Sequence, residues 1–183
     1  MSIKKIIKKI IFRLRAEYTT ESLISMGLKV GKNFQRNEGV IIDPSHCWLI
    51  EIGDNVVMAP RVHVLAHDAS TYNHLGYTKI GRVTIGDNVF IGSSSVILPN
   101  VKIGANSIVG ANSTVLKDIP ENVVAAGSPA RVICTLEEFL KKNRKLMNDC
   151  PVFEEEYTLR KKITSEKKQE QFDALSHSVG FVK

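Results

Sequence analysis

Aliphatic residues recur at a strict spacing of six through the middle of the chain. The series comprises Ile52, Met58, Val64, Ile85, Ile91, Ile97, Ile103, Val109 and Val115. A spacing of six fits neither the turn of an α-helix nor the two-residue alternation of a long strand. It is typical of coiled, stacked β structure, in which each repeat supplies one short strand and one turn. Leu follows the aliphatic in every third repeat, at Leu65, Leu98 and Leu116. The pattern therefore predicts an all-β, three-sided prism.

Polar positions keep the same spacing. Three residues after each aliphatic stand Asn55, Arg61, His67, Asn88, Ser94, Asn100, Asn106, Asn112 and Asp118. Asn tolerates the left-handed backbone conformation better than most residues. We therefore expect these positions to form the corners of the prism. The position after each of them is mostly small or β-branched, which suits a tight interior.

One interruption in the spacing predicts a loop. Ile52 and Ile85 are 33 residues apart, which is one coil of 18 residues and 15 more. The pattern stops just after His67, so a polar loop at about residues 68–82 should leave the prism at the third corner of one coil. Loops held by a rigid scaffold often carry the chemistry of a protein. His67 stands at the root of this loop.

The N-terminal segment differs in character from the prism. We expect a basic amphipathic helix within residues 1–22, because Ile residues line one side of residues 2–17 and Lys or Arg residues crowd the other. One interpretation packs the Ile stripe on the protein or on a sister subunit. The other places this helix on the surface of an anionic membrane.

The coils are predicted over residues 23–133. The first coil, at 28–51, is imperfect and its register is not fixed by the sequence. Its core candidates are Leu28, Val30, Phe34 and Val40. Residues 134–183 are expected to form a helical extension, with helices at 136–147 and 165–177. Thr135 and Glu138 have the spacing of a capping box. These helices are expected to cover the open end of the stack, which solenoids require.

Composition narrows the setting. The 183 residues include three Cys, at positions 47, 134 and 150, which form neither a disulfide framework nor a metal-type cluster. We therefore expect a cytoplasmic protein, peripheral to the membrane if the N-terminal helix binds lipid. No run is long and apolar enough to span a bilayer. The net charge of +6 suits anionic ligands or lipid, and no motif supports nucleic-acid binding.

Three sequence features together resemble a known family. These are the Ile-Gly-Asp-Asn-Val repeats at 52–56 and 85–89, the His67-Asp68 step before the loop, and the segment Ala-Gly-Ser-Pro-Ala-Arg-Val-Ile at 126–133. Over about residues 28–134 the chain resembles hexapeptide-repeat acyltransferases, in particular sugar O-acetyltransferases acting on galactosides, maltose, capsule or O-antigen. The resemblance implies a left-handed parallel β-helix, an exception to the usual right-handed crossover. It also implies a homotrimer with active sites between neighbouring prisms.

The resemblance assigns the chemistry to His67, which matches the catalytic His of the family at the root of the loop. Acetyl transfer from a thioester to a sugar hydroxyl requires a base that removes the hydroxyl proton, and His suits that role. Asp68 is a candidate to orient the ring, and His74 in the loop is a candidate contact of the acceptor. A competing interpretation makes His67 a plain corner residue with positive φ.

The resemblance also implies the residues that bind the coenzyme. The backbone N–H of Ser93 matches a donor that stabilises the oxyanion and is presented by a neighbouring subunit. Ala111 matches a position whose backbone contacts the pantetheine arm. Lys117 and Arg131 match basic residues near the coenzyme phosphates, although both also fit an ordinary solvated surface. Leu116 departs from the family pattern, in which Thr often precedes this Lys.

Three other functions stay open. The same scaffold and base would serve N-acetylation of an amino sugar. A zinc enzyme of the γ-carbonic-anhydrase type needs three His ligands. Enough imidazoles are present, at His46, His63, His67 and His74, although their spacing does not resemble that family. The third alternative is a non-catalytic scaffold. The leading hypothesis expects acetyl-CoA as co-substrate, no metal, and a sugar, sugar-nucleotide or lipid-linked saccharide acceptor.

Overall fold

The structure, a computed structural model, describes residues 18–183. The predicted basic helix over residues 2–17 lies outside the described residues. The chain divides into two compact units, Met1–Leu136 and Glu137–Lys183, which are described in turn.

The first unit is built from three parallel sheets. Sheet 1 contains β1 (Lys29–Val30), β4 (Ile50–Ile52), β9 (Val83–Ile85) and β12 (Val101–Ile103). Sheet 2 contains β2 (Gln35–Arg36), β5 (Val57–Met58), β10 (Phe90–Ile91), β13 (Ile108–Val109), β15 (Val123–Gly127) and, antiparallel at its end, β16 (Ala130–Thr135). Sheet 3 contains β3 (Ile41–Ile42), β6 (His63–Val64), β11 (Val96–Ile97) and β14 (Thr114–Val115). Successive strands enter the three sheets in rotation, as the six-residue spacing predicts.

The repeated aliphatic residues form the core of this unit. Strand pairing aligns them from coil to coil, so that Met58 pairs with Ile91 and Ile91 pairs with Val109. All nine are buried. Burying one such side chain is worth about 1.5–3 kcal/mol. The predicted core of the first coil is also confirmed, because Leu28 and Val40 are buried in the cluster and Val30 and Phe34 pack against it.

Most of the predicted corners adopt the left-handed conformation. Positive φ angles occur at Asn55, Arg61, Asn88, Ser94, Asn100, Asn106 and Asn112. One row of corner amides forms a ladder, in which Asn88 accepts from Asn55 at 3.0 Å and donates to Asn106 at 2.9 Å. His67 is not a corner of this kind, because it lies in strand β7 (His67–Asp68), where the chain leaves the coil. The plain corner interpretation of His67 is therefore wrong.

The first coil follows the same register. The sequence does not show this directly, because one position of the repeat is occupied by Arg36. Val30, Arg36 and Ile42 pair with Ile52, Met58 and Val64, and so continue the spacing of six. Arg36 occupies the position of an aliphatic. Its guanidinium donates to the carbonyls of Val40 and Tyr18 at this end of the stack. The short helix α1 (Thr20–Ser25) precedes this coil and buries Leu23.

The first coil also contains an insertion that the sequence analysis did not identify. Ten residues separate Ile42 from Ile52, where a regular repeat has six. The extra residues form a 3₁₀ turn at Cys47–Leu49. Because β3 pairs with β6, this insertion leaves the same corner as the predicted loop, one coil earlier. Two adjacent coils are therefore interrupted at one corner.

The predicted loop after His67 is a small ordered hairpin. Strand β7 pairs antiparallel with β8 (Lys79–Ile80). Between them lie a 3₁₀ turn at Ala69–Thr71 and the short helix α2 (Tyr72–Leu75), which ends at Gly76 with φ of 70°. The Thr71 hydroxyl donates to the Tyr77 carbonyl at 2.8 Å across the loop.

The second unit contains the two predicted helices. Helix α3 (Leu136–Asp149) begins at the end of the first unit, and α4 (Ser165–Ala174) is capped by the Thr164 hydroxyl, which accepts from Lys167 N. A parallel pair, β17 (Val152–Phe153) and β18 (Phe181–Val182), was not predicted, because two-residue strands carry no readable alternation. Among residues 18–183, no helix combines the length and the apolar character needed to cross a bilayer.

The corner ladder yields a stability prediction. Asn88→Ala should lower the free energy of unfolding by about 1–3 kcal/mol, because Ala tolerates a φ of 55° poorly and loses both amide hydrogen bonds. Asn88→Gly should lose less, since Gly accepts positive φ. Chemical denaturation measures both, with Asn73→Ala on exposed α2 as the control. An Asn88→Ala variant as stable as the wild type would contradict the role of the ladder.

Candidate active site

His67 is paired with a carboxylate that the first insertion supplies. Its Nδ1 lies 2.5 Å from Oδ2 of Asp43, the residue that directly follows β3. The Asp43 side chain is fully buried, whereas 34% of the His67 side chain is exposed. Since an ionised carboxylate can only accept, Nδ1 carries the proton of this hydrogen bond. The ring therefore turns Nε2 away from Asp43.

Backbone donors fix the Asp43 carboxylate. Oδ2 also accepts from Ala66 N at 3.0 Å, and Oδ1 accepts from Ser45 N at 2.9 Å. Burial alone would raise the pKa of Asp43, but the hydrogen bonds from His67, Ala66 and Ser45 favour the charged form, and the net effect lowers the pKa. Asp43 therefore holds the ring as a carboxylate at neutral pH and stabilises a positive charge on His67.

Two further rings of the first insertion extend from His67. The His46 ring lies 5.4 Å from the His67 ring and 5.2 Å from the Trp48 ring, measured between centroids. His46 Nδ1 is buried and has no hydrogen-bond partner in the part of the chain that the structure describes. Trp48, in contrast, is 52% exposed. The three rings form a continuous row from the buried carboxylate to the protein surface.

Asp43, His46 and His67 could also hold a metal ion, since one ligand atom from each lies within 4.8 Å of the others. The zinc hypothesis named four imidazoles, but this cluster contains only His46 and His67 of them. His63 is half-buried in β6, and His74 is exposed on α2.

Asp68, the predicted orienting residue, has other partners. Its carboxylate accepts from Ser70 N at 2.9 Å and forms an ion pair with Lys79 at 3.0 Å. These contacts lower the pKa of Asp68 to about 2. Asp68 thus fastens the base of the hairpin, and the His67 ring is oriented by Asp43 instead.

Ser93 and Ala111 stack at a different corner, between sheets 2 and 3. The Ser93 carbonyl accepts from Asn112 N, and the Ser93 hydroxyl donates to the Pro60 carbonyl. The N–H groups of Ser93 and Ala111 donate to no group within residues 18–183. At the equivalent position of sheet 1, by comparison, Asp54 N donates to the carboxylate of Asp87. Two stacked donors are thus available to a ligand, but the structure does not bring them to His67 within one chain.

The basic candidates and His74 lie on the surface. Lys117 follows β14 and is exposed, on the same side of the coil as His67 and further along the stack. Arg131 is exposed on β16, where its guanidinium donates to the Ala130 carbonyl at 2.9 Å. Within residues 18–183, neither residue contacts His67 directly. A groove of about 780 Å³ runs along sheet 1, lined in part by Lys29 and Lys102, and contains none of the candidate residues.

Sequence reasoning missed Asp43, the partner of His67. The signal was present, because ten residues rather than six separate Ile42 from Ile52. The spacing of six reaches Ile42 only if Arg36 is counted as a member of the repeat, and the longer interval after Ile42 then stands out.

A prism of six-residue repeats with an oriented His at one interrupted corner defines a class of transferases. Residues 82–117 match the family model described as bacterial transferase hexapeptide (six repeats). Protein CapG of Staphylococcus aureus is 36% identical over 144 residues, which are 74% of this chain and 82% of CapG. The chain therefore belongs to the hexapeptide-repeat acyltransferases.

Two of the proteins similar to this chain are named as sugar acetyltransferases. Galactoside O-acetyltransferase of Escherichia coli is 45% identical over 109 residues, which are 58% of this chain and 53% of that protein. A solved galactoside acetyltransferase in complex with coenzyme A is 42% identical, with a TM-score of 0.57 over 63% of this chain and 58% of that one. The chain thus matches little more than half the length of these two relatives.

The buried carboxylate yields a pH-dependent prediction. Asp43→Asn should lower the free energy of unfolding at neutral pH by about 1–3 kcal/mol, because an amide cannot satisfy all three donors. The pKa of Asp43 is lowered on folding, so its stabilisation is present above the usual value of 3.8 and is lost as the pH falls through the folded value. The difference from wild type should therefore shrink as the pH falls below 3.8.

Urea denaturation at neutral pH and at a pH below 3.8 measures this difference in the free energy of unfolding. Asp149→Asn is the matched control, since it makes the same substitution at an exposed position of α3. A loss of stability for Asp43→Asn that does not depend on pH would contradict the assigned charge state.

Proposed function

We propose that the protein is an acetyl-CoA-dependent O-acetyltransferase that acts on a hydroxyl of a sugar or a saccharide precursor. The observation that carries the proposal is the hydrogen bond between buried Asp43 and half-exposed His67. It directs Nε2 of this partly exposed ring away from the carboxylate at the root of the hairpin. The relatives named for galactoside O-acetylation and for a coenzyme A complex support the donor and the class of acceptor.

In the proposed reaction His67 Nε2 takes the proton of the acceptor hydroxyl as its oxygen attacks the acetyl carbonyl. The tetrahedral oxyanion accepts a hydrogen bond from the free N–H of Ser93, an interaction typically worth about 3 kcal/mol. Collapse breaks the carbon–sulfur bond, and the thiolate of coenzyme A takes the proton from His67. Asp43 stabilises the imidazolium between these two steps, as a positioning residue that touches neither substrate.

We further propose that the prism is a left-handed parallel β-helix and that three copies form a homotrimer. His67 and Ser93 lie at different corners, so one chain cannot bring the base and the oxyanion donor together. A second copy placed against the interrupted corner would supply Ser93 and Ala111. The apolar side chains exposed on the hairpin, at Tyr72, Leu75, Tyr77 and Ile80, support such a contact.

The first functional test is acetyl transfer itself. Wild-type protein with acetyl-CoA should release free thiol in the presence of a hydroxyl sugar, and His67→Ala should lower kcat by at least about 100-fold through loss of the base. Asp68→Asn serves as the control. A panel that pairs each hydroxyl sugar with its amino analogue separates O- from N-acetylation. Full activity of His67→Ala would remove His67 from the mechanism.

A second test concerns the coenzyme. The double variant Lys117→Ala and Arg131→Ala should raise the KM for acetyl-CoA more than it lowers kcat, because the two cations are assigned to the coenzyme phosphates. Steady-state kinetics with saturating acceptor measure both constants. A control variant that removes two cations from the second unit, Lys167→Ala and Lys168→Ala, should leave the KM unchanged. An unaltered KM in the first variant would mean that Lys117 and Arg131 are ordinary solvated surface residues that do not bind the coenzyme.

A further inference from the structure

We propose that Trp48 and His46 form the floor on which the ring of the acceptor sugar lies, with His67 at its edge. The proposal rests on the proposed function and adds to it the residues and the ring chemistry that select the acceptor. The three aromatic rings form one row, with centroid spacings of 5.2 and 5.4 Å. A ligand that covers both Trp48 and His46 therefore ends beside His67, the catalytic base proposed for this protein.

Trp48 is held in place although half of its surface is exposed. The adjacent Cys47 is completely buried, and its Sγ lies 3.6 Å from the carbonyls of Leu23 and Met26. Leu49, on the other side, packs against the core. At Gly27 an added Cβ would lie only 2.8 Å from Trp48 Cβ. The backbone at Gly27 therefore packs closely against the start of the Trp48 side chain. The turn thus presents a preorganised apolar surface, which lowers the entropic cost of binding.

The chemistry of this surface fits a hexopyranose. Such a ring shows C–H groups on one face and hydroxyls around its rim, so the face can stack on an indole while a rim hydroxyl meets a polar group. Here that polar group is His67 Nε2, at the end of the row of tilted rings. A purely apolar occupant would cover Trp48 but bring no hydroxyl to the base. An open-chain alcohol would reach the base but leave Trp48 uncovered.

Acceptor selection follows from this arrangement. Sugars with a continuous C–H face should be preferred, as in a galactose ring, whose axial 4-hydroxyl leaves the hydrogens at carbons 3, 4 and 5 on one side. Open-chain alcohols such as glycerol should react slowly and should not depend on Trp48. The floor therefore contributes to the KM of the acceptor and leaves binding of the coenzyme unchanged.

The test uses the full-length protein and the methyl hexopyranoside that wild type acetylates fastest. Trp48→Ala should raise the KM of this acceptor about tenfold or more, because it removes both the apolar area and the stacking. Trp48→Phe should recover much of the affinity. The KM for acetyl-CoA and the rate with glycerol should stay at wild-type values in both variants. Phe172→Ala, an exposed aromatic of the second unit, is the matched control.

Trp48 is the only tryptophan of the chain, so its fluorescence reports on the floor directly. In the His67→Ala variant, which binds without turnover, titration with the same methyl hexopyranoside should change the intensity or the emission maximum in a saturable way. Glycerol at the same concentrations should cause no saturable change. A His46→Ala substitution in this background should weaken the sugar titration.

The outcomes separate this proposal from the proposed function. If wild type acetylates sugars but Trp48→Ala keeps the acceptor KM, the floor is wrong and the acetyltransferase stands. Size-exclusion chromatography could show that Trp48→Ala changes the oligomeric state, and the wild-type fluorescence could fail to respond to the sugar. Together these two results would assign Trp48 to a subunit interface and would contradict its role in acceptor binding. If wild type releases no thiol with any sugar, the proposed function fails and the floor fails with it.

Discussion

Each coil of the first unit lies directly against the next, and this close stacking restricts what the corners can contain. At Gly92 an added Cβ would lie 2.4 Å from Ala111 N in the following coil, so this position excludes every other residue. The row that contains Asn88 needs side chains that accept positive φ and also bond to the coil on either side. In this row, a large ionisable side chain that turned toward a substrate would lose the hydrogen bonds to both neighbouring coils.

The candidate chemistry stands where this restriction is lifted. Adjacent coils are interrupted at one corner, first after Ile42 and then after His67. The first interruption buries Asp43 and exposes Trp48, and the second turns the His67 ring toward that carboxylate. Neither insertion would be sufficient alone, because one supplies the carboxylate and the other supplies the imidazole. Stacking of the two coils brings residues 43 and 67 within hydrogen-bonding distance.

The sequence was most informative where the repeat is regular. Spacing alone predicted the three sheets, the buried aliphatic residues, the positive φ at the Asn corners and the loop after His67. It did not predict the partner of that ring. Asp68 was the nearest carboxylate in sequence, but a residue directly after His67 in an extended strand points to the opposite side. The true partner lies one coil away, in a segment whose register Arg36 conceals. The resemblance supplied Ser93 and Ala111, which lie at a different corner from His67, so that only the proposed homotrimer would bring them together.

The pairing of Asp43 with His67 has a consequence for how such a protein can change. Both members belong to neighbouring turns near the start of the stack, and nothing beyond Ile85 contributes to their hydrogen bond. Whole turns could be duplicated or removed toward the far end, which would move the residues proposed to bind the coenzyme relative to His67 while its hydrogen bond to Asp43 stayed intact. A change in the number of turns would therefore adapt the prism to donors of different length. Grafting the first two turns onto a longer prism would test this directly.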